Sequence, residues 1–297
     1  EEDLLFLARE DIEISSKNHY CLENDITLTS KNWTPIGGNG AGNFSGTFDG
    51  QGYTISGLAI SGRSDEDMGL FGYNTGKIKD LTVKGNISGS ADAGLIAGQN
   101  TGTIENCHTE GSVAAATAGG AVGRNAGTVT ECTSSAEVSS TENEAGGLVG
   151  YNSKKVQYSG ATGAVTGKCD YTGGLVGYND QGTISQSYAN GKVSGSGSYV
   201  GGLVGRSSYG TISYCYASGT VNDYARAGLA GNIYGAAIRF CYYNAANTYN
   251  QIGIPASTSQ LKNQSTYTGW NFEKIWEITD NYPVINLREG ITVKELE

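Results

Sequence analysis

Three stretches share one word: Gly146-Gly147-Leu148-Val149-Gly150, Gly173-Gly174-Leu175-Val176-Gly177 and Gly201-Gly202-Leu203-Val204-Gly205. Looser copies flank them at Leu70-Phe71-Gly72, Ile96-Ala97-Gly98, Ala121-Val122-Gly123 and Leu229-Ala230-Gly231, and the closing glycines follow one another at 26, 25, 27, 27, 28 and 26 residues. After each glycine comes a short polar turn, often with asparagine, at Asn74, Asn100, Asn125, Asn152 and Asn179. An aliphatic residue then recurs at Ile78, Ile104, Val129, Val156, Ile184, Ile212 and Ile238. Three residues on stand Leu81, Cys107, Cys132, Ser159, Ser187, Cys215 and Cys241, and six further Ile87, Val113, Val138, Val165, Val193 and Val221.

Three short apolar-centred segments per period, separated by Gly, Asn and Ser, predict three short strands per repeat. The period lacks the helical spacing of a leucine-rich repeat and is too short for a propeller blade of about 40 residues. An all-β, right-handed parallel β-helix of about 26-residue coils remains, with like residues stacked at the strand spacing of about 4.8 Å. A single coil buries too little to offset the entropy of ordering its backbone, so the coils must stack. A stack leaves a raw strand edge at each end. The expected organisation is an N-terminal cap over 1–35 that opens on a short helix containing Leu4-Leu5-Phe6-Leu7. Repeats follow over 36–256, then a C-terminal cap over 257–297 that carries Trp270, Phe272, Ile275, Trp276, Tyr282 and Pro283.

Composition agrees. The chain of 297 residues has 46 Gly, 3 Pro and 16% charged residues, which opposes helix. A net charge of −10 speaks against nucleic acid as a partner. The uncharged run 111–123 is short and rich in Gly and Ala, so no membrane insertion is expected in this segment. Glu1-Glu2-Asp3 opens no signal peptide, which points to part of a larger parent protein.

The Gly-Gly-Leu-Val-Gly words resemble the GLUG motif of bacterial surface proteins. Phe44-Ser45-Gly46-Thr47-Phe48-Asp49-Gly50-Gln51-Gly52-Tyr53-Thr54-Ile55 is similar to the segment that often precedes such arrays, and Trp33-Thr34-Pro35-Ile36-Gly37 and Tyr282-Pro283-Val284-Ile285 fit the same pattern. The resemblance covers nearly the whole chain. It implies a stalk or adhesive module of an exported, often wall-anchored protein, secreted or at the cell surface, and such arrays also stand beside the catalytic domain of immunoglobulin A-cleaving metallopeptidases.

Catalytic signatures are missing. His19 and His108 are the only histidines and neither begins His-Glu-x-x-His. There is no Gly-x-Ser-x-Gly elbow, and no Gly-Lys is followed by Ser or Thr. Carboxylates of a glycosidase stand about 5–10 Å apart. Asp80 and Glu131 are two coils apart, roughly 10 Å, and read as solvated acids. Asp65-Glu66-Asp67 reads as a charged loop tip, so neither metal nor cofactor is expected. The interchange of Cys107, Cys132, Cys215 and Cys241 with Leu81 and Ser159 favours free buried thiols over bridges.

The positive signal is aromatic: fourteen of 19 tyrosines fall between Tyr151 and Tyr249. If Cys215 and its equivalents point inward, alternation turns their neighbours outward. Tyr158, Tyr188, Tyr214, Tyr216, Phe240 and Tyr242 then share a face, where Asp80, Thr82, Asn106, His108, Glu131 and Thr133 stand nearer the N-terminus. Exposed, these six would bind a glycan or a host extracellular protein. Alternatively they form a strand-stabilising ladder or are covered by a loop. The residues therefore point to a non-catalytic surface or secreted repeat module, adhesin or spacer. The alternative is a carbohydrate-active β-helix enzyme, lyase or glycosidase, or an accessory domain of a surface metallopeptidase.

Overall fold

The computed structural model describes residues 1–9, 17–38, 42–64, 67–168, 170–222, 227–247, 250–278 and 281–286. The Gly-Leu-Val-Gly words form a seven-stranded parallel sheet, from Phe71–Asn74 through Ala97–Asn100, Val122–Asn125, Val149–Asn152, Val176–Asp180 and Val204–Ser208 to Ala230–Tyr234. Val122, Val149, Val176, Val204 and Ala230 stand in register. The Leu148 N–H donates to the Leu175 carbonyl, Leu175 to Leu203 and Leu203 to Leu229, all four side chains being fully buried. One word is thus one turn of a parallel β-solenoid of about eight turns.

The other columns follow the same rule. Ile78, Ile104, Val129, Val156, Ile184, Ile212 and Ile238 pair in series, as do Ile87, Val113, Val138, Val165, Val193 and Val221. The expectation of three strands per coil needs correction. One central turn carries Val176–Asp180, Thr183–Ser185, Tyr188–Ala189, Val193–Gly195 and Tyr199–Gly201, whereas earlier coils fuse segments into Lys77–Gly89 and Thr103–Gly119.

The recurrent asparagines are not surface turn residues. Asn74, Asn100, Asn125, Asn152 and Asn179 are fully buried, and each Nδ2 donates to the next Oδ1 at 2.7, 2.8, 2.7 and 2.7 Å, the last donating to Ser207 Oγ at 3.0 Å. The amide carries donor and acceptor on one group, so stacked copies can repeat such a chain through a dry interior.

At the N-terminal end, helix Glu2–Leu7 buries Leu4 and Leu7, and the Glu1 carboxylate accepts from Thr29 N at 2.8 Å. At the other end the raw edge is closed by asparagines of the last turn: Asn244 Nδ2 donates to Ser218 O, Asn247 accepts from Val221 N and donates to Gly219 O, and Asn250 donates to Ala230 O. The described part of the C-terminal segment, 257–278 and 281–286, runs back along one flank as a strap, with Trp270 reaching Phe240 and Trp276 reaching Gln186.

Candidate functional site

The flank is built by a repeated corner. Asp80, Asn106, Glu131, Tyr158, Gln186, Tyr214 and Phe240, one per coil, are left-handed, with φ between 48° and 56°. The next residue closes the corner. Cys107, Cys132, Ser159, Ser187, Cys215 and Cys241 each donate to the carbonyl two residues earlier, at 2.6–3.3 Å. Thiol and hydroxyl interchange here because either gives a small buried donor to that carbonyl, while Leu81 fills the equivalent place in the first of these coils without one. Cys107, Cys132, Cys215 and Cys241 are buried and unbridged. Burial pushes the Cys107 and Cys215 thiols up, and the neighbouring sulfur adds to this.

Beyond the corner the outward position holds Gly160, Tyr188, Tyr216 and Tyr242 in register. A Cβ on Gly160 would lie 2.2 Å from the Tyr188 ring, so glycine makes the seat that ring occupies. Tyr188 and Tyr216 stack at 5.7 Å and 14°.

The expected aromatic column exists, but it is not exposed. Tyr158, Tyr188, Tyr216 and Tyr242 are buried, Tyr214 is half-buried, and Phe240 alone of the six is exposed. Tyr188, Tyr216 and Tyr242 pack with Leu261, Tyr267, Trp270, Ile275 and Trp276 of the strap in a second core. Trp276 Nε1 donates to Gln186 Oε1 at 2.7 Å and Trp270 Nε1 to the Phe240 carbonyl at 3.0 Å. The covering alternative therefore applies to four of the six residues, with the chain's own C-terminal segment as the cover. The Asp65-Glu66 part of the charged tip lies outside the described residues.

Beyond the strap's last described residues lies a groove of about 480 Å³ lined by Asp80, Asn106, His108, Glu131, Tyr158 and Asn286, among others. Two pairs of its polar groups are engaged with each other, Asp80 with Asn106 and His108 with Thr133. Asp80 accepts from Lys79 Nζ and Asn106 Nδ2, both at 2.7 Å, and His108 Nδ1 bonds Thr133 Oγ1. Burial lowers the His108 pKa and raises that of Glu131, the latter with help from Glu105 and Asp80. Asp80 and Glu131 thus share one groove, but Asp80 is already engaged by a lysine and an amide.

A second aromatic surface escaped the sequence reading. Tyr151 and Tyr178 point outward from the glycine-word sheet, and Tyr171 and Tyr199 from the strands before it. The Tyr171–Tyr199 rings stack at 5.8 Å, and Arg206 lies 5.5–5.9 Å from the Tyr171, Tyr178 and Tyr199 rings. The signal was the tyrosine directly after Val-Gly in two successive words.

Comparison with known proteins agrees with this geometry. The family model described as the GLUG motif matches residues 169–194 and 196–222, so the chain carries GLUG repeats. Halomucin of Haloquadratum walsbyi is 36% identical over 123 residues, covering 35% of this chain and 1% of that protein. A candidate Gly-rich membrane protein of Evansella cellulosilytica is 35% identical over 104 residues, covering 31% of this chain and 12% of that protein. The chain therefore spans a small part of the curated relatives it matches. A crystal structure of a candidate immunoglobulin A1 protease from Bacteroides ovatus superposes with a TM-score of 0.61 over 91% of this chain and 86% of that one, at 22% identity, a likeness of fold.

Proposed function

We propose that this GLUG-repeat solenoid is a non-catalytic module of a larger surface protein, a stiff spacer that carries binding faces away from its attachment. The observation that carries this reading is the unbroken asparagine ladder. Interior side-chain bonds continuous from Asn74 to Ser207 resist bending between coils. Support also comes from the relatives, one named a membrane protein, and from a net charge of −10, which favours solubility in an exposed setting. No helix among the described residues is long and apolar enough to cross a membrane. The enzymatic alternative would rest on Asp80 and Glu131, and the first is already engaged.

Protease shaving of intact cells that make the parent protein tests this reading. Release of peptides from residues 1–297 without lysis supports it, and their recovery only after lysis overturns it.

A further inference from the structure

Tyr209 and Phe240 share two properties that folding does not explain, and Tyr214, half-buried against the strap's core, shares the first of them. All three are left-handed, at φ 53°, 54° and 52°, a conformation unfavourable for bulky side chains and tolerated best by Gly, Asn and Asp. Equivalent corners in earlier coils carry Asp80 and Asn106 at the one and Gln181 at the other, so the solenoid forms without aromatic residues there. Tyr209 is also 61% exposed and Phe240 43%. Strained and solvated aromatic residues are retained at contact sites more readily than for stability.

Their placement makes a shelf. Strands Thr211–Ser213 and Ala237–Arg239 lie side by side, with Thr211 against Ala237 and Ser213 against Arg239. Ile212 is buried, so those four residues face outward. One end of the shelf is walled by Tyr209 and Tyr234, whose rings meet edge to face at 5.1 Å, with Tyr234 55% exposed. The other is walled by Tyr214 and Phe240, stacked at 5.2 Å. The floor extends in register to Thr183 and Ser185 of the preceding coil. From Tyr209 to Tyr214 the strand spans roughly 15 Å.

The chain as a whole repels polyanions, so it is the local charge of the shelf that selects the occupant. Outward positions of the three floor strands carry hydroxyls, one alanine and the exposed guanidinium of Arg239, and no carboxylate, in a chain of net charge −10. Among the described residues no carboxylate pairs with Arg239. Aromatic walls offer ring faces and edges to the apolar side of a sugar, the hydroxyls offer hydrogen bonds, and the guanidinium fits a planar or tetrahedral anion.

We propose that this shelf binds an acidic polysaccharide, with a short run of sugar rings lying between the two aromatic pairs and a carboxylate or sulfate on Arg239. The inference deepens the surface-module reading and rests on it for the setting in which such a polymer is met.

The test is titration calorimetry of the full chain with oligogalacturonate, dextran sulfate and neutral dextran. The proposal expects binding to one or both acidic polymers, and which one identifies the anion. Dextran should bind at least tenfold more weakly. Tyr209→Asn with Phe240→Asn should weaken binding at least tenfold while leaving the melting temperature equal or higher, since Asn accepts the left-handed corner. Arg239→Gln should abolish the preference for acidic over neutral polymer. No binding to either acidic polymer, or binding that these variants leave unchanged, overturns the proposal, as does equal affinity for dextran. Protease shaving decides the surface location separately, so a buried cellular location and an inert shelf are distinguishable failures.

Discussion

The Tyr216 hydroxyl donates to the Pro283 carbonyl oxygen at 2.6 Å, joining residues 67 apart in sequence. Tyr216 is fully buried and belongs to a repeat, whereas Pro283 belongs to the non-repeating strap. Through this bond and the Trp276–Gln186 bond the strap is part of the folded flank. Tyr216→Phe should cost about 1–2 kcal/mol, leaving one buried carbonyl without its donor. Tyr216→Ala should cost about 3–5 kcal/mol, because it also empties a ring-sized space. Urea unfolding followed by tryptophan fluorescence reads both, since Trp270 and Trp276 lie in that cluster.

The asparagine ladder makes a second prediction. Asn125 accepts from Asn100 at 2.8 Å and donates to Asn152 at 2.7 Å. Asn125→Ala interrupts the ladder in the dry interior and should cost about 2–4 kcal/mol from the buried groups left without partners. Asn125→Asp keeps the shape but sets a carboxylate oxygen against Asn152 Oδ1. It should therefore destabilise more at pH 7 than at pH 4, read by thermal melts at the two values.

The cysteines predict a labelling pattern. Cys21 is exposed, while Cys107, Cys132, Cys215 and Cys241 are buried. In native protein iodoacetamide should modify Cys21 readily and these four only after unfolding, as peptide mass spectrometry would show. Rapid native labelling of Cys132 would contradict the closed corner.

Asp67 gives a pH dependence. Burial raises its pKa to about 6, Gln99 opposes this, and the nearby Asp92 carboxylate adds to it. A carboxyl raised in the folded state binds its proton more tightly there than when unfolded. Its contribution is complete below about pH 4 and is lost as pH rises through about 6. Two pKa units correspond to about 3 kcal/mol, and solvent screening at this half-exposed site reduces the expected effect to about 1 kcal/mol. Asp67→Asn should therefore stabilise the protein by about that amount at pH 7 and by little at pH 4, in urea titrations at each pH.

The solenoid was legible because Leu148, Leu175 and Leu203 repeat inside a fixed glycine frame, and in a stacked fold sequence period equals spatial period. The aromatic column was legible for the same reason: Tyr188, Tyr216 and Tyr242 are register partners. Its cover was not. Trp270, Trp276 and Pro283 lie outside the repeat, and no periodicity tells which flank a non-repeating segment will choose. The asparagines were visible as recurrences, but a lone Asn after glycine reads as a surface turn. Only its stacking at side-chain distance turns it into a buried ladder. The corner conformation of Tyr209, Tyr214 and Phe240 was hidden because their residue types argue against positive φ.

The stacking itself is open to direct measurement. Thr103 stands in register with Thr128, then Lys155, Thr183 and Thr211, four coil steps in all. Nitroxides at Thr103→Cys and Thr211→Cys, with Cys21 and Cys169 replaced by Ser, should give a pulsed electron-resonance distance near 20 Å, four strand spacings plus label reach. A distance beyond about 35 Å, or a distribution without a peak, would contradict a stack of coils at strand spacing.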